Sequence, residues 1–227
     1  MQDATTHYIG HRQRLRQRII STNPENLADY ELLELILFLV IPRKDVKPLA
    51  KKLLEQFSNL ANLINIDKDK LLSIKGTNEN LYISFVVARE LINRVLKQKI
   101  INQNIIGSWG ALLDYLKTTM GAMKLEQFRV LFLNKKNILI ADEILSQGTI
   151  DQATIYPREI IKRALVNEAS AIILVHNHPS GSSKASKADI EMTNKIVETC
   201  ATVNISVHDH VIIGNNQYFS FKSNMLL

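Results

Sequence analysis

Four side chains stand at a spacing that could do chemistry: the imidazoles of His176 and His178, the hydroxyl of Ser186 and the carboxylate of Asp189. The imidazoles follow an apolar run over 171–175 that reads as a buried β-strand, stopped by Pro179 and Gly181. Side chains alternate along a strand, so His176 and His178 are expected on one face with Asn177 opposed, a two-point metal grip. From Ser186 onward, Ile190, Thr193, Asn194, Val197 and Ala201 recur at helical spacing and predict a helix to about 201, with Asp189 in its first turn. The carboxylate is thereby brought back toward the imidazoles. Two imidazoles and one carboxylate leave a fourth tetrahedral position on Zn²⁺ open to water, which marks a catalytic rather than a closed site, and the chemistry implied is hydrolysis. Each fragment also has a plain reading. A His-x-His pair fits strand packing without a metal, and Ser186-x-x-Asp189 fits a helix N-cap with its acidic third residue.

Taken together, His-x-His-Pro, six residues, Ser, two residues and Asp resemble the JAMM (MPN-plus) zinc metallopeptidase motif at every specified position. With Gln147-Gly148-Thr149, the HNHPSG segment and the closing Asp209-His210-Val211-Ile212-Ile213-Gly214, nearly the whole chain resembles the RadC family. The resemblance implies an α/β (α+β) fold. In it, a helical, helix-hairpin-helix-like domain precedes a JAMM/MPN-like domain whose mixed sheet is flanked by helices, as in cytidine deaminases. It implies Zn²⁺ held by His176, His178 and Asp189, hydrolysis of a peptide or isopeptide amide, and Ser186 donating a hydrogen bond to the oxyanion. Ser186 can equally be a helix cap, and both roles can hold at once. The general base implied is Glu126, at the edge of an early strand in a Glu-x-Phe context; Glu143 is the rival, and spacing does not choose between them. The family also carries a DNA-repair association, so a DNA-binding protein using its helical domain, with the metal domain accessory, stands as the alternative.

The elements that must position these residues divide near Asn102. Over 1–102 the pattern is helical: alternating arginines 12, 14, 16 and 18 on a solvated basic helix; a helix over 30–41, apolar on most sides and capped by Asp29 or a neighbour; one over 46–57; shorter ones over 60–65 and 67–74; then an amphipathic helix over 81–96. The turn before that last helix has Gly76, with Thr77 and Asn78 where a phosphate-binding hairpin would place a second glycine. Asn78 could substitute by adopting a positive φ. This half holds 16 Lys+Arg against 11 Asp+Glu, and the rest 12 against 11, so the basic excess that could meet nucleic acid lies here.

Residues 97–106 carry charge and polarity without a helical face and read as the connection to a second domain, 103–227. There Ser108 is expected to cap a helix ending at Gly121, strands are expected over 128–134 and 137–140, residues 146–149 to turn, and Tyr156-Pro157 to start a helix. A strand over 205–213, a turn at 214–216 and a strand over 217–221 close the chain. His208 and His210 are expected to share one strand face, as support or packing rather than as a second zinc site. The lone Cys200 reads as buried and inert. No apolar run is long enough to span a bilayer, and the start has no signal-peptide core, so a cytoplasmic protein without a membrane partner is expected.

Overall fold

A computed structural model describes residues 10–148, 155–215 and 217–227. The expected turn residues Thr149 and Asn216 lie outside the described residues. Two compact units are formed, 1–91 and 92–227, and one helix runs through the division.

The first unit is helical: α1 (His11–Ser21), a 3-10 turn (Pro24–Asn26), α2 (Asp29–Val40), α3 (Lys47–Phe57), α4 (Leu60–Ile64), α5 (Lys68–Leu72) and the start of α6 (Glu79–Ile100). Its core gathers Leu33, Leu37, Leu53, Leu63, Leu71, Leu81 and Phe85. Ala28 stands at the cap position of α2, and Glu31 reaches back to its N–H at 3.0 Å, so neither Asp29 nor a cap side chain starts that helix. Two of the arginines expected in solvent are structural. Arg12 donates to the carbonyls of Ile41 and Lys44 at 2.5 and 2.7 Å, where α2 has run out of partners, and Arg18 pairs with Glu31 at 2.7 Å. Helix α2 is not buried on every side: Leu39 is exposed, and the buried Glu34 is held by His11 at 2.6 Å.

In the turn between α5 and α6, Gly76 takes φ +103°, a left-handed value that disfavours any side chain. Asn78 has no positive φ; it accepts from the Leu81 N–H at 2.9 Å and so starts α6. Thr77 donates toward the carbonyls of Leu71 and Ile74 at 2.7 and 2.8 Å. The residues standing in place of a second glycine therefore stitch the turn with side chains.

The second unit adds α7 (Trp109–Met120), β1 (Glu126–Leu133), β2 (Leu139–Gly148), α8 (Pro157–Val166), β3 (Ala171–Asn177), α9 (Lys187–Ala201), β4 (Ser206–Ile213) and β5 (Tyr218–Ser220). The sheet runs β2-β1-β3-β4-β5, with β3 and β4 parallel and the other pairs antiparallel. The parallel pair is joined through α9, as a crossover requires. Strand β3 is central and buried along all seven residues. Ala171, Ile173 and Val175 pack on one face with Leu112 and Leu116 of α7, and Ile172 and Leu174 on the other with Ile160 and Ala164 of α8 and Ile196 and Cys200 of α9.

Three expectations are corrected here. Residues 97–106 are not a polar connection: α6 continues to Ile100, and Ile100 and Ile105 are fully buried in the second core. The backbone beyond pairs with the sheet, Asn102 N–H donating to Leu139 and Leu139 N–H to Gln103, so the segment satisfies its polar groups as an edge. Residues 146–148 are not a turn but the end of β2, with Gln147 and Gly148 opposite Gln127 and Glu126. Ser108 stands at the cap position of α7 yet makes no side-chain cap bond.

Candidate metal centre

The centre is built where β3 emerges from the sheet. Leu174 and His176 point to the α8/α9 face, and the same alternation carries His178 to that side while Asn177 turns to the other. After Pro179 the chain folds back tightly, Gly181 N–H donating to His178 C=O at 2.9 Å with Gly181 at φ +84°. The loop rests on Gly214, where an added Cβ would lie 2.4 Å from the Gly181 oxygen and 2.9 Å from the Ser183 nitrogen. No side chain fits there. The loop is thereby held so that Ser182 C=O sits 2.9 Å from His178 Nδ1.

Helix α9 supplies the carboxylate. Ser186 caps it, its Oγ accepting from Asp189 N–H at 3.1 Å, while Asp189 Oδ2 accepts from the Ser186 N–H and hydroxyl, both at 2.7 Å. This is a capping box with aspartate in place of the usual glutamate. The buried row of the helix is Asp189, Thr193, Ile196 and Cys200; of the expected Ile190, Thr193, Asn194, Val197 and Ala201 stripe only Thr193 is buried, since Asn194 and Ala201 are exposed and Ile190 and Val197 half-buried. A carboxylate can occupy that row because imidazoles meet it.

His176 Nε2 and His178 Nε2 are 2.9 Å apart, with Asp189 Oδ1 3.3 Å from the first and Oδ2 3.5 Å from the second. Among the described residues this is the cluster of three His, Cys, Asp or Glu brought close enough to share an ion. Tetrahedral ligands at roughly 2.0–2.1 Å from Zn²⁺ stand about 3.3 Å apart, so the three atoms need little rearrangement to share one cation. His178 spends its Nδ1 proton on the Ser182 carbonyl, which can only accept, so its neutral form turns an unprotonated Nε2 inward. Lone pairs facing each other at 2.9 Å are tolerated only across a proton or a cation.

The electrostatics agree with a site for positive charge. Burial pushes the Asp189 carboxyl up, but the adjoining imidazoles of His176 and His178 and the Ser186 hydroxyl outweigh it and hold the group far below the usual carboxylate range. The bond to Asp189 raises His178, burial opposes it, and the charges of Asp189 and Glu126 add to the rise.

Glu126 heads β1 on the face that carries Phe128, whose ring stacks against His176. Its Oε2 is buried and finds no hydrogen-bond partner among the described residues, an orphan that water or a cation-bound ligand would satisfy. Glu143 is differently placed: Arg163 donates to both of its oxygens at 2.5 and 2.7 Å and Asn167 to one at 2.8 Å, and the guanidinium holds that carboxyl below its usual range.

Three residues matter that sequence pattern left unassigned or grouped otherwise. Asn177 accepts from Gln127 N–H at 2.9 Å and donates to Leu125 C=O at 3.1 Å, so the residue between the two histidines ties down the backbone on either side of Glu126. His210 Nε2 lies 2.8 Å from His176 Nδ1, and its Nδ1 2.6 Å from Thr193 Oγ1. His208 and His210 do not share a face. The β3/β4 register shifts between Ile172 and Ile173, where Val207 and then Asp209 are the partners, and the extra residue breaks the alternation. His208 turns to Asn137 Oδ1 at 2.6 Å, and Asp209 is buried on Ser220 and the Lys222 N–H. The signal for His210 and Thr193 was polar residues inside otherwise buried rows.

Residues 106–226 match the family described as "RadC-like JAB domain", and residues 7–83 the family described as "UPF0758 N-terminal". A UPF0758 protein of Ruegeria pomeroyi is 45% identical over 213 residues, covering 94% of this chain and 95% of that relative.

Proposed function

The chain belongs to the RadC-like JAB domain family, with the UPF0758 N-terminal domain in front, and from that premise we propose that it is a cytoplasmic, zinc-dependent hydrolase of peptide or isopeptide amides. One observation carries the reading: two imidazole nitrogens and a carboxylate meet at ligand spacing, and the strand paired with β3 carries Glu126, whose Oε2 is orphaned and whose charge acts on His178. His176 Nε2, His178 Nε2 and an Asp189 oxygen would hold the ion. When bound, Zn²⁺ supplies Lewis acidity toward a carbonyl and lowers the pKa of water. Glu126 Oε2 would take the proton from the attacking water and return it to the leaving amine. Ser186 donates its hydroxyl to Asp189, which orients the ligand; the same hydroxyl, turned outward, would serve the oxyanion. A lone, buried and unpaired Cys200 fits a reducing compartment.

The test is the zinc content of the full chain purified without added metal. Wild type and Glu126→Gln should each carry close to one ion and His176→Ala/His178→Ala almost none. Equal, negligible zinc in all three would refute the reading.

One observation favours the DNA-binding alternative as a property of the first unit. A surface cavity of about 480 Å³ at the α5–α6 turn is lined by Lys44, Lys52 and Lys75 against the single carboxylate of Asp45, together with Gly76, Thr77 and Asn78. Lysines there would neutralise backbone phosphates without reading bases. Duplex binding by the full chain should then fall steeply with salt and weaken in Lys52→Ala/Lys75→Ala. Binding that ignores salt would remove this reading.

A further inference from the structure

Hydrogen bonding beyond the three ligand candidates has a direction. The Thr193 hydroxyl has one proton and two close neighbours: the Asp189 carbonyl at 2.5 Å and His210 Nδ1 at 2.6 Å. The carbonyl can only accept, so the hydroxyl proton goes to it, and the second contact is bonding only if His210 Nδ1–H donates to Oγ1. His210 is fully buried, its ring stacked on Phe221 at 4.6 Å and met edge-on by Phe128 at 6.0 Å. An apolar enclosure favours the neutral ring, which has one N–H and has used it. His210 Nε2 is then an acceptor, and at 2.8 Å it takes the Nδ1–H of His176. That leaves His176 Nε2 bare toward His178 and Asp189.

We propose that Thr193 and His210 form a positioning relay that fixes His176 in the tautomer with an unprotonated Nε2, so that the chain presents a preset lone pair to the cation. The inference rests on the metal-centre reading above and adds two residues that touch neither ion nor substrate. Helix geometry makes it economical: Thr193 lies one turn after Asp189, so α9 delivers a ligand and the group that orients another ligand from the same face. The Asp189 carbonyl is the anchor, which ties the carboxylate's own backbone to the tautomer of its neighbour.

Two substitutions of Thr193 separate this relay from simple packing. Thr193→Val keeps the shape and loses the oxygen; Thr193→Ser keeps the oxygen and loses a methyl. In the metal-free full chain, imidazole ¹⁵N–¹H correlation spectra should show His176 protonated at Nδ1 in wild type and Thr193→Ser, and mixed or reversed protonation in Thr193→Val. In chelator competition, Zn²⁺ affinity should stay near wild type in Thr193→Ser and fall in Thr193→Val toward the low end of the about 10–100-fold range for removing an outer partner of a ligand histidine, since Thr193 acts one bond further out through His210. A packing role predicts the reverse order, with Thr193→Ser the weaker binder. If Thr193→Val does not fold, His210→Gln, which can still accept from His176, should bind more tightly than His210→Leu by a similar factor. A wild type that takes no Zn²⁺ would sink the metal centre, while the spectra would still decide the relay. A wild type that binds Zn²⁺ alongside a Thr193→Val with unchanged affinity and tautomer overturns the relay alone.

Discussion

Replacing Asn177 by leucine should loosen the base without touching a ligand. Its side chain makes two hydrogen bonds across the β1/β3 boundary, accepting from Gln127 N–H at 2.9 Å and donating to Leu125 C=O at 3.1 Å. Gln127 is 2% exposed, so its N–H is left unsatisfied at a cost of about 1–3 kcal/mol, whereas a carbonyl reachable by water loses only the net bond, about 0.5–1.5 kcal/mol. Leu125 is 47% exposed and falls in the second class. The sum, roughly 1.5–4.5 kcal/mol, should appear in urea unfolding as a lower midpoint at unchanged slope. Glu126 sits between the two anchored backbone groups, and a displacement on the order of 1 Å at a reacting group costs up to about 100-fold in rate. The variant should therefore keep its zinc and lose most of its hydrolysis. An unfolding midpoint equal to wild type, or zinc lost together with activity, would refute the argument that Asn177 acts on the strand carrying Glu126.

Glu126→Gln should retain zinc while hydrolysis falls about 10²–10⁴-fold, the contribution of a general base. Glu143→Gln should leave the rate unchanged and barely move the unfolding midpoint, because its Arg163 partner is substantially exposed; a rate loss confined to Glu143→Gln would exchange their roles. Gly214→Ala forces a Cβ to within 2.4 Å of the Gly181 oxygen, so the unfolding midpoint should drop by the equivalent of about 1–3 kcal/mol and zinc affinity with it. Unchanged stability and affinity would show that the loop need not rest on that glycine. Saturating zinc at about 100 times its dissociation constant should stabilise the second unit by about 2.7 kcal/mol and a chelator should reverse this; a midpoint indifferent to both would contradict a metal coupled to the fold.

Much of this architecture is written in local pattern. The apolar run before His176, the Pro179 and Gly181 stop and the Ser186 cap are short-range signals, and they place the three ligand candidates because strand and helix periods fix which side chains share a face. What escaped was set by long-range pairing. The end of β2 reads as a turn because Ser146, Gln147 and Gly148 have low strand propensity; pairing with Gln127 and Glu126 overrides it. Residues 97–106 read as polar because their isoleucines come as two adjacent pairs, 100/101 and 105/106, which make no helical stripe, yet Ile100 and Ile105 are driven into the core while the backbone between them finds the sheet. The register shift that parts His208 from His210 depends on two strands more than thirty residues apart, and no single-strand alternation can announce it. The two arginines of α1 that bind α2 likewise answer to carbonyls and a carboxylate brought up by folding.

The proposed convergence of His176, His178 and Asp189 on one divalent cation rests on their spacing. It is tested most directly by the zinc coordination of the full chain, seen by anomalous diffraction at the metal edge. One ion is expected, bonded to Nε2 of both imidazoles and an Asp189 oxygen at about 2.0–2.2 Å, with Glu126 outside the coordination shell. A zinc bound through other side chains, or Asp189 turned away from the imidazoles in the metal-loaded protein, would contradict it.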